Sequence, residues 1–328
     1  MLRFLQVGDS RFMKEPSKQL IKLARKLFEA ESDRAAFIQA LTHPPTFAPT
    51  ILWTQPKPAD LDWPTLQPLP WQPTQVERLA TDGRPGQHPL HEQGYFYCLD
   101  FSSVMAAALM QAIAEPIEVA IDLCAAPGGK SLFTWATRQP KRLLCNETIR
   151  KRVKILIANL KRCGAMEAIV LNQDPAVLAE HLPASAQLVL VDAPCSGQSL
   201  LAKGQDVPGC FHKVTLNRNA NRQKRILAQA TQLVQQGGHL LYATCTYASE
   251  ENEQVCRWLL QRFPEFEAVT VANMRPYQSH LASFPCYRLW PQLGLGAGAF
   301  AMLFRRIQGR ALPLDEDFLT QHQFELYG

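Results

Sequence analysis

From residue 119 onward the chain repeats one pattern: a short apolar run, then a longer stretch with helical spacing. The runs are "VAIDLC" (119–124), "RLLC" (142–145), "AIVL" (168–171), "QLVLVD" (187–192) and "HLLYAT" (239–244). Helical stretches lie between several of them, notably "RKRVKILIANLKRCG" and "NRQKRILAQATQLVQQGG", both ending in glycine as helices often do. Strands that are apolar throughout and alternate with helices imply a mostly parallel sheet covered on both faces. The expected fold class is α/β. "FEAVTVA" and "AFAMLFRR" can supply late strands, the last pair as an antiparallel hairpin edge.

The chain before this pattern reads differently. "SKQLIKLARKLF" places Leu20, Leu23, Ala24 and Leu27 at helical spacing, with Lys18, Lys22, Arg25 and Lys26 on much of the remaining surface. That surface is a solvated face or an RNA-facing one. Residues 43–89 are dense in proline and tryptophan, which predicts short strands and ordered loops. A helix follows from "FYCLDFSSVMAAALMQAI", with Ser102 or Ser103 as its cap. The expected division is an accessory α+β domain over 1–92, a catalytic domain over 93–309 and an acidic tail over 310–328. No internal repeat is visible.

Composition excludes several classes. At 328 residues, 47% apolar and 19% charged, the chain is an ordinary globular one, and its net charge of +5 allows a nucleic-acid partner without demanding one. Nine cysteines, an odd number with no C-x-x-C pair, indicate neither a disulfide framework nor a common zinc site. His88 and His91 lack a third ligand at sensible spacing, so no metal is expected. The stretch "MLRFLQVGDSRFMKEP" does not read as a secretory signal, and "LGLGAGAFAMLF" is too short and glycine-rich to span a bilayer. The expected setting is a reduced cytoplasm, with no membrane partner.

The chemistry gathers where the strands end. The first core strand ends in "DLCAAPGGKS", with Asp122 before a tight turn. Gly128 and Gly129 let backbone approach a ligand, and the next helix offers free N–H groups. A P-loop would need glycine at position 124, where Cys124 stands, and a G-x-G-x-x-G is absent. Glu147 follows Gly128 by nineteen residues, a separation that suits a ribose diol, although a helix N-terminus also favours an acid there. Asp174 in "NQD" is either a turn residue or a partner for an adenine amino group. Carboxylates rather than a phosphate grip favour S-adenosylmethionine.

Two thiols then reach the same rim. "VDAPCSG" carries Asp192 and Cys195, and "HLLYATCTYASEENE" carries Cys245, where an apolar run gives way to an acidic helix start. Buried cysteine is common, but parallel-strand ends are where open α/β sheets bind ligands. Cytosine C5 is too weak a nucleophile to attack a methyl sulfonium directly. A thiolate that adds to C6 makes C5 enamine-like and able to take the methyl group. Asp192 can help neutralise charge on the ring, and a second thiol can assist release.

In this order "DLCAAPGGK", "NE", "DAPCSG" and "TCT" with "EEN" resemble the Sun/Nop-type RNA cytosine-C5 methyltransferase family, over residues near 85 to 307. "PLPW" and "HPLHEQGYFY" are similar to its bacterial ribosomal-RNA branch. The resemblance implies a class I methyltransferase fold, S-adenosylmethionine as cofactor, and ribosomal RNA ahead of tRNA as partner for a monomeric enzyme. It implies Cys245 as nucleophile, Cys195 as the aid to product release, and Asp192 at the base and cofactor. Cofactor contacts would come from Cys124, Ala125, Ala126, Pro127, Gly128, Gly129, Lys130, Glu147, Arg152, Asp174 and Asp192. The chain departs from the family pattern at "YCLD", which puts Leu99 and Asp100 where glutamine and glutamate are usual. It departs again at "QSLLAKG", where Ala202 precedes the single retained base Lys203, and at "GAGAFAML". Two other readings stay open: an RNA-binding assembly factor without catalysis, against which the intact thiol pair argues, and a methyltransferase on a protein or small molecule, which has no need of the second thiol.

Overall fold

The computed structural model describes residues 15–81 and 83–324, so residues 1–14 of the stretch read for a leader lie outside the described residues. Two helices come first, α1 (Lys18–Leu27) and α2 (Glu31–Thr42). The Leu20 amide donates to Ser17 Oγ at 3.2 Å to start α1, and Leu20, Leu23, Ala24 and Leu27 form its buried face. The proline-rich part forms β1 (Thr50–Trp53) and β2 (Val76–Arg78), then the single turn α3 (Pro89–Glu92) and β3 (Phe96–Leu99). These strands make a small antiparallel sheet in the order β2-β1-β3, and α4 (Phe101–Ala108) leads out of it. The cap of α4 is Asp100, whose Oδ1 accepts from the Ser102 amide at 2.9 Å; Ser102 and Ser103 are already inside the helix.

The main unit follows as β4 (Val119–Asp122), α5 (Gly129–Arg138), β5 (Arg142–Asn146), α6 (Arg150–Arg162), β6 (Ile169–Leu171), α7 (Pro175–His181), β7 (Ala186–Asp192), α8 (Lys213–Leu233) and β8 (Val234–Thr244). After these come α9 (Glu253–Arg262), β9 (Phe266–Ala268), β10 (Tyr287–Leu289), β11 (Ala299–Arg306) and α10 (Glu316–His322). The sheet order is β10-β11-β8-β7-β4-β5-β6, with β9 also on β11. From β8 to β6 the neighbours run parallel, while β11 is antiparallel to β8. Along β7, Leu188 and Leu190 enter one core cluster while Val189 and Val191 enter the other, as a sheet buried on both faces requires. The fold is an α/β sandwich of the class I methyltransferase type with a small N-terminal α+β part.

Two local expectations are corrected, and one helix, α2, was not expected from the sequence at all. "AFAMLFRR" is an interior strand, because the short β10 covers it beside β9. The second long helix begins at Lys213 and ends at Leu233; its glycines, Gly237 and Gly238, sit inside β8, where Gly237 takes φ +79°. α2 had no strong sequence signal, with only Phe37, Ala40 and Leu41 buried. Among the described residues, no helix is long and apolar enough to cross a membrane.

Candidate active site

The parallel strands β4, β5, β6, β7 and β8 all end on one rim, and the motif residues follow those ends. After β4 the backbone turns at Gly128, φ +114°, which opens α5. Gly129 lies so close to the small sheet that a Cβ there would come within 2.8 Å of Leu99 Cδ2. Asp122 does not face the rim. It is fully buried, accepting from Ser131 Oγ at 2.7 Å and from the Cys124 amide at 3.3 Å, and so fixes the turn to α5. Burial pushes its carboxyl up to about 7, despite the two hydrogen bonds, with the Asp192 charge adding to the rise.

A cavity of about 490 Å³ opens beside this turn. Cys124, Glu147, Arg152 and Asp174 line it together with Ile149 and Arg222. Glu147 is nearly buried; its Oε1 accepts from the Ile149 amide at 2.8 Å and its Oε2 pairs with Arg152 at 2.9 Å. Arg152 also donates to the Ala126 carbonyl, tying the glycine turn to α6. Asp174 is exposed and caps α7 by accepting from the Ala176 amide at 2.9 Å, which leaves its other carboxylate oxygen outside that bond. Burial raises the Cys124 thiol well above its ordinary value, so it stays protonated. Asn146, unremarked in the sequence, is the hidden organiser. Its side chain bonds Leu123 O, Gln173 O and the Gln173 amide at 3.4, 3.0 and 2.9 Å, locking three strand ends together.

Beyond the cavity, Lys130 Nζ pairs with Asp192 Oδ2 at 2.7 Å. Burial alone would lower the lysine, but Asp192, Cys245 and Asp122 outweigh it and raise the ammonium above its ordinary value. Cys195 and Cys245 bring their sulfurs to 3.3 Å. The hydrogen bond from Cys195 lowers the Cys245 thiol; burial and Asp192 oppose this, while Lys130 and the Ser199 hydroxyl assist it. The same hydrogen bond, with burial, raises Cys195. The pair therefore ionises at Cys245, the more exposed sulfur.

The loop holding Cys245 is braced by residues that sequence reasoning took for an acidic helix start. Glu251, Asn252 and Glu253 are buried. Glu251 Oε2 accepts from the Ser196 amide at 3.0 Å and from Gln223 Nε2 at 2.9 Å, joining both cysteine loops. Asn252 accepts from Thr244 Oγ1 at 2.6 Å and donates to the Thr246 carbonyl at 2.9 Å, one bond on either side of Cys245. Glu253 makes a buried two-point pair with Arg288, each bond 2.6 Å, and Arg288 also donates to the Tyr247 carbonyl at 3.1 Å. Gln198 accepts from the Tyr247 and Ala248 amides, both at 3.0 Å. Among the described residues, no group of three metal-ligating side chains is placed to hold a metal ion.

Known proteins are similar to this chain to differing extents. The small-subunit ribosomal RNA methyltransferase F of an Escherichia coli O17:K52:H18 strain is 32% identical over 262 residues, which is 78% of this chain and 54% of that protein. Its counterpart in Vibrio vulnificus YJ016 is 35% identical over 249 residues, 74% of this chain and 52% of that one. The chain spans about half the length of the curated relatives it matches. In fold it is similar to a methyltransferase homologue from Pyrococcus horikoshii, with a TM-score of 0.67 at 20% identity, covering 88% of this chain and 99% of that one. The NSun6 structure from the same organism, solved with SFG, gives a TM-score of 0.68 at 18% identity, covering 89% and 99%. One family match spans residues 110–305, more than half the chain, and takes in the glycine turn, the cavity acids, the Lys130–Asp192 pair and both rim thiols. The chain belongs to the 16S rRNA methyltransferase RsmB/F family.

Proposed function

We propose that this chain is an S-adenosylmethionine-dependent RNA cytosine-C5 methyltransferase acting on ribosomal RNA. The observation that carries this reading is the thiol pair of Cys195 and Cys245 at 3.3 Å, on the rim that also holds the Lys130–Asp192 pair. A mechanism that both makes and breaks a carbon–sulfur bond gives each thiol a role, one as nucleophile and one as the aid to release.

The residues around the cavity fit the cofactor. A glycine turn at φ +114° opens a helix N-terminus, and Glu147 and Asp174 present acceptors suited to a ribose diol and an adenine amino group. When bound there, S-adenosylmethionine supplies an electrophilic methyl group. Arg152 holds Glu147 in place, and Cys124 lines the wall as a neutral thiol.

The chain's own groups then act on the base. Cys245, its thiol lowered, adds to cytosine C6, and the C5–C6 π electrons move into the ring. Lys130 and Asp192 hold the ring edge and offset the charge that develops there. C5 would then bond the methyl carbon as the carbon–sulfonium bond breaks, with S-adenosylhomocysteine as the leaving group. Transfer of the C5 proton to water re-forms the double bond and expels the Cys245 thiolate, which the Cys195 S–H is placed to stabilise by hydrogen bonding as it leaves. The basic face of α1, with Lys18, Lys22, Arg25 and Lys26, supports an accessory RNA-binding role for residues 1–92. A cytoplasmic, monomeric enzyme fits this reading.

Incubation of the full chain with radiolabelled cofactor and unmodified small-subunit ribosomal RNA tests it. Label recovered as 5-methylcytidine is the expected result. Label in protein alone, or none with any RNA, would sink the reading.

A further inference from the structure

A second opening, of about 560 Å³, lies between the proline-rich segment 44–49 and the 198–203 turn. It shares no lining residue with the cofactor cavity. It meets the reaction centre from two sides. Leu99, on its wall, packs against Gly129 of the glycine turn. The Ser199 amide, in the 198–203 turn, donates to the Cys245 carbonyl at 3.1 Å.

The walls have a definite chemistry. Phe47 is half-buried, packed on one side against the cluster under the catalytic loop, and it lines the groove between Pro44 and Pro49. Lys203 Nζ pairs with Asp100 Oδ2 at 3.1 Å. Asp100 is itself held: Oδ1 takes the Ser102 amide at 2.9 Å and the Ser102 hydroxyl, and the Ala297 amide approaches both oxygens at 3.3 and 3.4 Å. So the carboxylate is a fixed post that positions the lysine. The ammonium has three donors, one of which this pair uses, and its side chain is 36% exposed. Leu99, Asp100 and Ala202, scattered departures in the sequence, all line this one groove.

An aromatic face, stiff proline walls and a held cation are the elements that grip one nucleotide of a single strand. The volume lies in the range of small-ligand sites. We propose that this groove seats the nucleotide adjoining the target cytosine, with its base stacked on Phe47 and its phosphate on Lys203. The inference rests on the RNA reading above and adds where a flanking nucleotide is held.

Fluorescence anisotropy of the full chain tests it, with a labelled single-stranded RNA 12-mer carrying a central cytosine and saturating S-adenosylhomocysteine. Phe47→Ala should weaken RNA binding about tenfold, and Phe47→Trp should restore it. Lys203→Met should weaken binding and flatten the log-affinity against log-salt slope by about 0.7, and Lys203→Arg should restore both. Cofactor affinity should not move, while Phe47→Ala, which gives up half-buried packing, should melt somewhat lower. Wild-type RNA affinity in both Phe47→Ala and Lys203→Met overturns the groove and leaves the RNA reading standing. No RNA binding by the unaltered chain overturns both. Weakening accompanied by lost cofactor affinity marks a folding defect and overturns the assignment.

Discussion

Cys195 and Cys245 are fifty positions apart in the chain, yet their sulfurs stand 3.3 Å from each other. If they divide the work as proposed, their alanine variants fail differently. Cys245→Ala should lose methyl transfer by on the order of 10³-fold or more, because no other group makes the covalent bond. Cys195→Ala should methylate once and then stall as a protein–RNA adduct on a denaturing gel. Adduct from Cys245→Ala and none from Cys195→Ala would reverse the assignment.

The same contact sets a pH dependence. Alkylation follows the thiolate, and the Cys245 thiol is lowered from its ordinary value of 9.0 chiefly by the hydrogen bond from Cys195. The iodoacetamide rate at Cys245, read by mass spectrometry against pH, should therefore inflect below 9.0. Cys195→Ala should move the inflection upward. An unmoved profile would show that the sulfur contact does not control ionisation.

Asp122 makes a prediction about stability. Its carboxyl rises from 3.8 to about 7 in the fold, chiefly through burial. Between those values the folded chain holds a proton that the unfolded chain has lost. The stability contributed is complete below pH 3.8 and is lost as pH rises through about 7. The total is about 4 kcal/mol, at roughly 1.4 kcal/mol per pH unit. Asp122→Asn should flatten the decline in urea midpoint across this window; a decline equal to that of the unaltered chain would show that another group titrates.

Glu147 should matter to cofactor affinity rather than to the fold. Glu147→Ala should weaken S-adenosylhomocysteine binding about ten- to a hundredfold by calorimetry, the range for losing a charged hydrogen bond. Unchanged affinity would remove Glu147 from the site and leave it as the partner of Arg152.

The Arg288–Glu253 pair is fully buried, so removing one member strands the other. Arg288→Met should cost about 3–5 kcal/mol by denaturant unfolding. Adding Glu253→Leu should recover part of that loss. If the double variant is no more stable than the single one, the stranded charge is not what destabilises it.

What could be read from the sequence divides along a physical line. The parallel strands were legible because each is buried on both faces at its centre and is apolar there, as Ala120 and Ile121 of β4 and residues 188–191 of β7 are. The placement of the candidate site residues on one rim was legible because they sit just past those strand ends in fixed short patterns. The bracing was not. The acidic helix start is there, with Glu253 opening α9, but the burial of Glu251 and Glu253 was not legible, since nothing local reveals that Gln223 and Arg288, 28 and 35 residues away, complete them. Asn146 is similar: its bonds run to loops after two other strands. β10 is three residues long and pairs only because β11 offers an edge.

The aromatic packing under the Cys245 loop also bears on how the chain is made. Phe37 of α2 meets Tyr247 edge-on at 5.0 Å, and Phe28 lies 4.7 Å from Trp290. During synthesis at about 5–20 residues per second, the apolar face of α1 and α2 leaves the ribosome many seconds before either partner exists. That face must wait uncovered until residue 290 emerges. The support beneath Cys245 is thus closed by segments more than 200 residues apart in the chain, and a nascent chain cannot complete it early.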